Sequence, residues 1–221
     1  MTTPAAAESE TVSTDSAVAL SVADDGVAVP AGTRPRSPHY WQRFSEGRMP
    51  DGADLAALRR GIDREPGTVP AMWPFYTCLT EDGRRTRELL AEHLALTLFA
   101  VHQQSKPQLM HAEKVGLGSA VLALKDPHNA KSFSPEAVDR RFGAAATATS
   151  IAELAVHLRG LITRLRGIAQ PLDYTLLTRD LRDWQNPDRA PAVRRRWGGQ
   201  YFAPPRRDKD ATAGPRTPAG L

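Results

Sequence analysis

The sequence predicts an all-α protein, a compact multi-helix bundle flanked by disordered N- and C-terminal tails. Three observations carry this. Residues 84–106 (RRTRELLAEHLALTLFAVHQQSK) spread Leu89, Leu90, Leu94, Leu96, Leu98, Phe99 and Val101 around almost the whole helical wheel, broken mainly by Glu92, His93, Thr97 and His102. A helix apolar nearly all round is buried by neighbours on several sides, so this stretch is expected at the centre of a bundle. Residues 151–166 carry the cleanest amphipathic face: Ile151, Leu154, Ala155, Leu158, Leu161, Ile162 and Leu165 fall within about 120° of the wheel. Between 34 and 200 there is no strand pattern of useful length, and no internal repeat. The apolar run of the central helix is interrupted by Glu92, His93 and His102 and no loop carries an aromatic belt, which argues against a membrane span.

Taken in order, residues 1–33 are rich in Ala, Ser, Thr, Val and Asp without a periodic apolar face, and read as a disordered acidic leader. A helical domain is expected over 34–202. Its first helix begins at Ser37-Pro38, turns Tyr40, Trp41 and Phe44 to one face, and closes at Gly47 and Pro50. A short helix over 51–62 places Leu55, Leu58 and Ile62 on one stripe, with Arg59 on its flank and Arg60 farther out. Pro70 and Pro74 limit the hydrophobic patch Val69-Pro-Ala-Met-Trp-Pro-Phe-Tyr76 to one or two helical turns against the central helix. Asp82 is positioned to cap that helix, Arg84, Arg85 and Arg87 give it an electropositive first turn, and Lys106-Pro107 ends it. Residues 103–114 form a polar loop, and 115–124 a short helix entered through glycines.

Ser134-Pro135-Glu136 is a helix start with serine as cap and proline in the first position. That helix turns Ala137, Val138 and Phe142 inward and leaves Arg140 and Arg141 on either side. Ser150 and Glu153 have the spacing of a capping box for the 151–166 helix, on which Arg159 and Arg166 share one flank. Asp173 caps a helix facing Tyr174, Leu177, Leu181 and Trp184 to the core, with Arg179 and Arg182 outside. A last helix starts at Pro191 and holds Arg194, Arg195, Arg196 and Trp197, and 203–221 form a disordered Pro/Arg-rich tail.

Composition narrows the function. The single cysteine, Cys78, forms no internal disulfide and no cysteine metal site, which fits a reducing compartment, and the N-terminus lacks the pattern of a signal peptide; the expected location is the cytoplasm. The net charge of +4 is unevenly placed: residues 1–33 hold five acids and no base, and within 157–207 eleven arginines stand against four aspartates. Such a concentration points to a polyanion partner. His93 and His102 project to opposite sides of their helix, so they do not chelate together, and they read as buried polar residues. Gly116-Leu-Gly118 lacks the flanking strand and third glycine of a dinucleotide loop. Cys78 reads as a packed inert thiol, and Glu136, Asp139 and Asp180 as capping or surface charges. Neither an enzyme, a metal site nor a cofactor is predicted.

Phosphate binding needs long cationic side chains rooted in a rigid scaffold, and arginine adds bidentate geometry and stacking. Arg59, Arg60, Arg140, Arg141, Arg159, Arg179, Arg194, Arg195 and Arg196 are the candidates. Two other classes stay open on charge alone. A stand-alone DNA-binding regulator needs a polar recognition helix, for which 173–184 is poor because its outer face mixes arginines with Asp180 and Asp183. A structural adaptor would instead set its arginines against acidic protein surfaces.

Several motifs, in order and spacing, resemble the CasB family, the small helical subunit of the type I-E CRISPR surveillance complex Cascade. They are Leu58-Arg59-Arg60, Val69-Pro-Ala-Met-Trp-Pro-Phe-Tyr76, His102-Gln-Gln-Ser-Lys106, Val115-Gly-Leu-Gly118, Asp139-Arg-Arg-Phe142, His157-Leu-Arg159, Pro171-Leu-Asp-Tyr174 and Arg179-Asp-Leu-Arg-Asp-Trp184. The resemblance covers Tyr40 to Phe202 and leaves the leader and tail outside. It implies an all-α, non-catalytic subunit present in two copies, contacting the backbone and large subunits, the guide RNA (crRNA) and the target DNA, and stabilising the strand displaced when the guide invades. Carried over by motif, Arg59, Arg60, Arg140, Arg141, Arg159 and Arg179 become the nucleic-acid face, joined by Lys106; the Arg194 to Arg196 run rests on charge.

Overall fold

The computed structural model describes residues 38–45, 47–129 and 133–202; the leader expected at 1–33 and the tail at 203–221 lie outside them. Among the described residues there are seven α-helices and three short 3-10 segments, and β-structure is confined to two isolated bridges. The all-α reading is borne out.

Helix α2 (Arg87–Gln103) is the axis. Every residue from Leu89 to Gln103 except Leu94 is buried, as the all-round apolar wheel requires. Around it lie α1 (Gly52–Arg59), α5 (Ile151–Gly167) and α6 (Tyr174–Trp184). Each turns the expected apolar stripe inward: Leu55 and Leu58 from α1; Leu154, Leu158, Leu161, Ile162 and Leu165 from α5; Tyr174, Leu177, Leu181 and Trp184 from α6. A second layer pairs α3 (Leu117–Leu122) with α7 (Ala190–Phe202), and sets α4 (Pro135–Thr147) against α5.

Side-chain caps start most of these helices. Asp51 accepts from the Ala53 N–H at 2.8 Å, Ser134 from Ala137 at 3.2 Å and Asp173 from Thr175 and Leu176 at 2.9 and 3.0 Å. At α2 the cap is Thr86, which accepts from the Leu89 N–H at 3.0 Å, and not Asp82. Asp82 instead closes the turn before the helix by accepting from the Arg84 N–H at 3.1 Å, so Arg84 and Arg85 precede α2, whose first turn is Arg87 and Glu88. The expected electropositive start is therefore only Arg87, balanced by its neighbour. At α5, Ser150 caps the Glu153 N–H at 3.1 Å, but the Glu153 carboxylate reaches back one residue farther than a capping box does, to the Thr149 N–H at 2.8 Å.

The first aromatic segment departs most from expectation. Only Tyr40–Arg43 is helical, as a single 3-10 turn. Its two buried aromatics are pulled to different neighbours, the Tyr40 hydroxyl donating to Asp54 at 3.0 Å and the Trp41 indole N–H to Thr175 at 3.1 Å. Anchoring consecutive residues on α1 and α6 holds the chain across the bundle instead of letting it coil. Gly118 has the opposite role of letting two helices touch: a Cβ there would lie 2.3 Å from the Trp197 carbonyl oxygen of α7. Gly116 is the helix entry that the missing strand implied, and Gly118 adds a close approach that the sequence did not show.

Candidate nucleic-acid interface

The basic residues singled out from sequence fall into two groups, those left to solvent and those held by the protein itself. Arg59 ends α1 and Arg60 caps it, its N–H bonded to the Ala57 carbonyl; Arg60, Arg140, Arg179 and Arg195 are exposed and Arg59 is half-buried. None of these five forms an ion pair with a carboxylate among the described residues, though the Arg179 charge helps lower the neighbouring Asp180 carboxyl. Arg159 is brought across from α5 to the turn that follows Arg60, where its guanidinium donates to Asp63 at 2.7 Å. Asp63 sits at φ +58°, a backbone conformation that turns the chain back toward α5. An exposed pair of this sort is worth at most about 1 kcal/mol, so it positions Arg159 without consuming its charge.

Between that turn, α2 and α5 runs an apolar groove of about 520 Å³ lined by Leu90, Leu94, Val101 and Ala155, with Arg85 and Arg159 among its polar residues. Lys106 lies beyond the other end of α2, in a depression shared with Arg166, whose guanidinium donates to the Val101 carbonyl at 3.3 Å and the Gln104 side chain at 2.9 Å. Arg141 turns from the α4 surface toward α5 and donates to the Ala137 carbonyl at 3.1 Å. The candidates thus do not all converge: Arg59, Arg60 and Arg159 gather near one turn, while Arg140 and Arg141, Arg179, Lys106 and the α7 run occupy other parts of the bundle.

The α7 arginines diverge sharply. Arg194 donates to the Ala146 and Ala148 carbonyls at 3.0 and 3.4 Å and lies 4.6 Å from the Trp184 ring centroid. Arg196 pairs with Asp180 of α6, which also accepts the Trp197 indole N–H at 2.7 Å. Asp180 is therefore a buried structural acid and not the surface charge its spacing suggested; burial pushes its carboxyl up, against the lowering by Trp197 and Arg196. Asp139 is likewise engaged, accepting from the Tyr201 hydroxyl at 2.5 Å and from Lys125 at 2.9 Å. Glu136 is exposed in the first turn of α4.

The buried polar residues of α2 explain what it does besides fill space. Glu92 is 1% exposed and accepts from the Thr77 N–H at 2.9 Å, the Thr77 hydroxyl at 2.7 Å and the Cys78 thiol at 2.8 Å, with His39 Nδ1 at 2.9 Å. Burial raises its carboxyl, but the His39, Cys78 and Thr77 bonds together outweigh that and hold it below the usual range. Cys78 is thus half-buried against a carboxylate and not simply packed among apolar groups. His93 bonds the Gly61 carbonyl at 2.9 Å and the Tyr76 hydroxyl at 2.7 Å, and His102 lies 2.9 Å from the Tyr174 hydroxyl, on opposite sides as expected. Among the described residues no three of His, Cys, Asp and Glu converge as metal ligands, and no helix is long and apolar enough to cross a membrane.

These imidazoles make the fold acid-sensitive. Burial lowers the pKa of His93, His111 and most of all His102, from the ordinary 6.5 to about 3. The unfolded chain takes up protons at these positions as pH falls through 6.5 while the folded chain does not, so stability falls with the pH, and continues to fall until near pH 3. His102 alone accounts for about 2 kcal/mol at pH 5 at 1.36 kcal/mol per pH unit. The urea midpoint is expected to drop steadily from pH 7 to pH 5; a flat profile would contradict the buried neutral imidazoles.

Sequence reasoning passed over Arg164, which lies opposite Arg141 across the α4–α5 cleft, and Arg85 beside the groove. Arg164 stands five residues beyond Arg159, about 140° round the wheel, a spacing that puts it on another flank from the Arg159–Arg166 pair.

Comparison with known proteins places this architecture. The family described as CRISPR-associated protein Cse2 matches residues 54–202. Among solved structures, CasB from Thermobifida fusca is 33% identical, with a TM-score of 0.55, 68% of this chain and 84% of that chain being covered. CasB from M. ruber is 26% identical over 73% of this chain and 90% of its own, with a TM-score of 0.53. CasB from Thermus thermophilus, 24% identical over 73% and 93% with a TM-score of 0.55, shares the fold. A comparison with curated protein sequences gives no match.

Proposed function

The chain belongs to the family of CRISPR-associated protein Cse2, the non-catalytic small subunit of type I-E Cascade, and from that premise we propose that it holds nucleic-acid backbone inside the complex. In this reading it contacts the guide RNA and target DNA and stabilises the displaced strand of the R-loop. It works as one of two copies bound to the backbone and large subunits in the cytoplasm, through its 34–202 domain. Guide pairing supplies sequence discrimination, so the subunit needs fixed cations and no base-reading pocket. Exchanging a DNA duplex for a hybrid is nearly balanced, and a few phosphate contacts on the displaced strand tip it.

The observation that carries the reading is the set of arginines that form no ion pair among the described residues: Arg59, Arg60, Arg140, Arg179 and Arg195, rooted on four different helices or their caps. Arg159 joins them through its loose pair with Asp63, and Arg141 and Lys106 add charge at the α4–α5 cleft and beyond α2. Arg194 and Arg196 have their guanidiniums committed to carbonyls and to Asp180, which gives them a part in holding α7, while Arg195 forms no ion pair among the described residues.

Purification of the tagged chain from its host, with sequencing of co-purified RNA, tests this. Short RNAs sharing a repeat-derived end, accompanied by larger subunits, are the expected result. Recovery of neither from cells expressing a CRISPR locus would return the chain to the regulator or adaptor reading.

A further inference from the structure

Arg141 and Arg164 line one cleft whose described lining contains no acid. The cleft lies between α4 and α5, measures about 450 Å³, and is lined by Phe133, Ser134, Val138, Arg141 and Arg164 among others. No ion pair joins either arginine to a carboxylate among the described residues. Two like charges in one half-buried cleft repel: burial and then the Arg141 charge lower the Arg164 pKa. Such an arrangement is stabilised when an anion sits between the two, and is disfavoured without one.

Both guanidiniums are also held in place. Each donates one N–H to the carbonyl four residues back on its own helix, Arg141 to Ala137 at 3.1 Å and Arg164 to Gly160 at 2.7 Å. A guanidinium has five donors, so most of each fork is left for a ligand while its position is fixed by the helix. The Ser134 hydroxyl, which accepts from the Ala137 N–H at 3.2 Å, keeps its own hydrogen for donation beside them. The first turn of α4 adds the positive end of a helix dipole. The apolar part of the cleft is Phe133 and Val138; the Phe133 ring lies over Gly167, 3.8 Å from where a Cβ would stand.

We propose that this cleft is a nucleotide subsite for single-stranded nucleic acid, in which Arg141 and Arg164 clamp one phosphodiester and Phe133 takes the neighbouring base. The inference rests on the nucleic-acid reading above and adds to it Arg164 and Phe133. A protein carboxylate would also satisfy two guanidiniums, but the aromatic ring beside them matches a phosphate with a base attached, because every base offers a stacking face.

The test uses the full chain and a fluorescein-labelled twenty-nucleotide oligothymidylate, with anisotropy measured across a potassium chloride series. For Arg141→Gln/Arg164→Gln the affinity is expected to fall about tenfold, and the slope of log affinity against log salt to become shallower by about 0.7, the value for one single-strand phosphate. Phe133→Ala is expected to lose about fivefold or more with an unchanged slope, because stacking releases no counterion. Unchanged melting temperatures establish that both variants are folded. If wild type binds and both variants bind equally well, the subsite is wrong while the broader reading stands. Loss of incorporation into the complex with unchanged oligonucleotide binding would assign the cleft to a protein carboxylate and overturn the proposal. If wild-type protein does not bind the oligonucleotide, the nucleic-acid reading fails, and the subsite with it.

Discussion

Glu92→Ala is expected to cost about 3–5 kcal/mol of stability, a large part of what a domain of this size possesses. The carboxylate lies buried in the middle of α2 and gathers the 77–78 segment and His39 onto the central helix. Alanine removes the acceptor of the Thr77 N–H and of its hydroxyl at a half-buried position, and each orphaned donor shielded from water costs about 1–3 kcal/mol. His39 retains access to solvent, its side chain being 25% exposed, and adds less. Glu92→Gln should fall between wild type and alanine, because one oxygen still accepts while the new amide N–H₂ faces donors. Equilibrium urea unfolding measures both. A loss below about 1 kcal/mol for the alanine variant would mean that the network is not what fixes the N-terminal segment on α2.

The parts of this fold legible in the sequence were those set by one helix's own periodicity. The α2 wheel, the α5 stripe and the caps at Ser134, Ser150 and Asp173 depend on spacings of three to seven residues, which a linear sequence displays. What was hidden depends on which helix lies next to which. Asp180 looked like a surface acid because its own helix gives no sign of the Arg196 and Trp197 partners sixteen and seventeen residues on. The contacts of Arg194 and Arg196 were hidden for the same reason, since the carbonyls and the acid they bond to belong to other elements. Tyr40 and Trp41 suggested one aromatic helical face, yet each is anchored on a different helix, and tertiary anchoring overrode the local preference.

The candidate interface divides in the same way. Arg59, Arg60, Arg140 and Arg179 were identified from composition and motif, and that they form no ion pair among the described residues could be learned only from the packing. Arg164 was missed because its significance lies in Arg141, twenty-three residues away on the neighbouring helix.

Neutralising Arg59, Arg60, Arg159 and Arg179 together as glutamines is expected to leave the subunit folded and the complex defective in opening its target. The one ion pair among the four, Arg159 with Asp63, is exposed, and the buried Asp180 that feels the Arg179 charge keeps its direct bonds to Arg196 and Trp197, so the melting temperature should change little. Loss of even two charge-assisted phosphate contacts, at roughly 1.5 kcal/mol each, weakens binding on the order of 100-fold. The most direct measurement is the affinity of reconstituted Cascade carrying this variant for a matched double-stranded target, with strand opening followed by permanganate reactivity of the displaced strand. The account predicts full assembly, weakened target affinity and reduced reactivity. Wild-type affinity and wild-type opening in a fully assembled variant complex would contradict it.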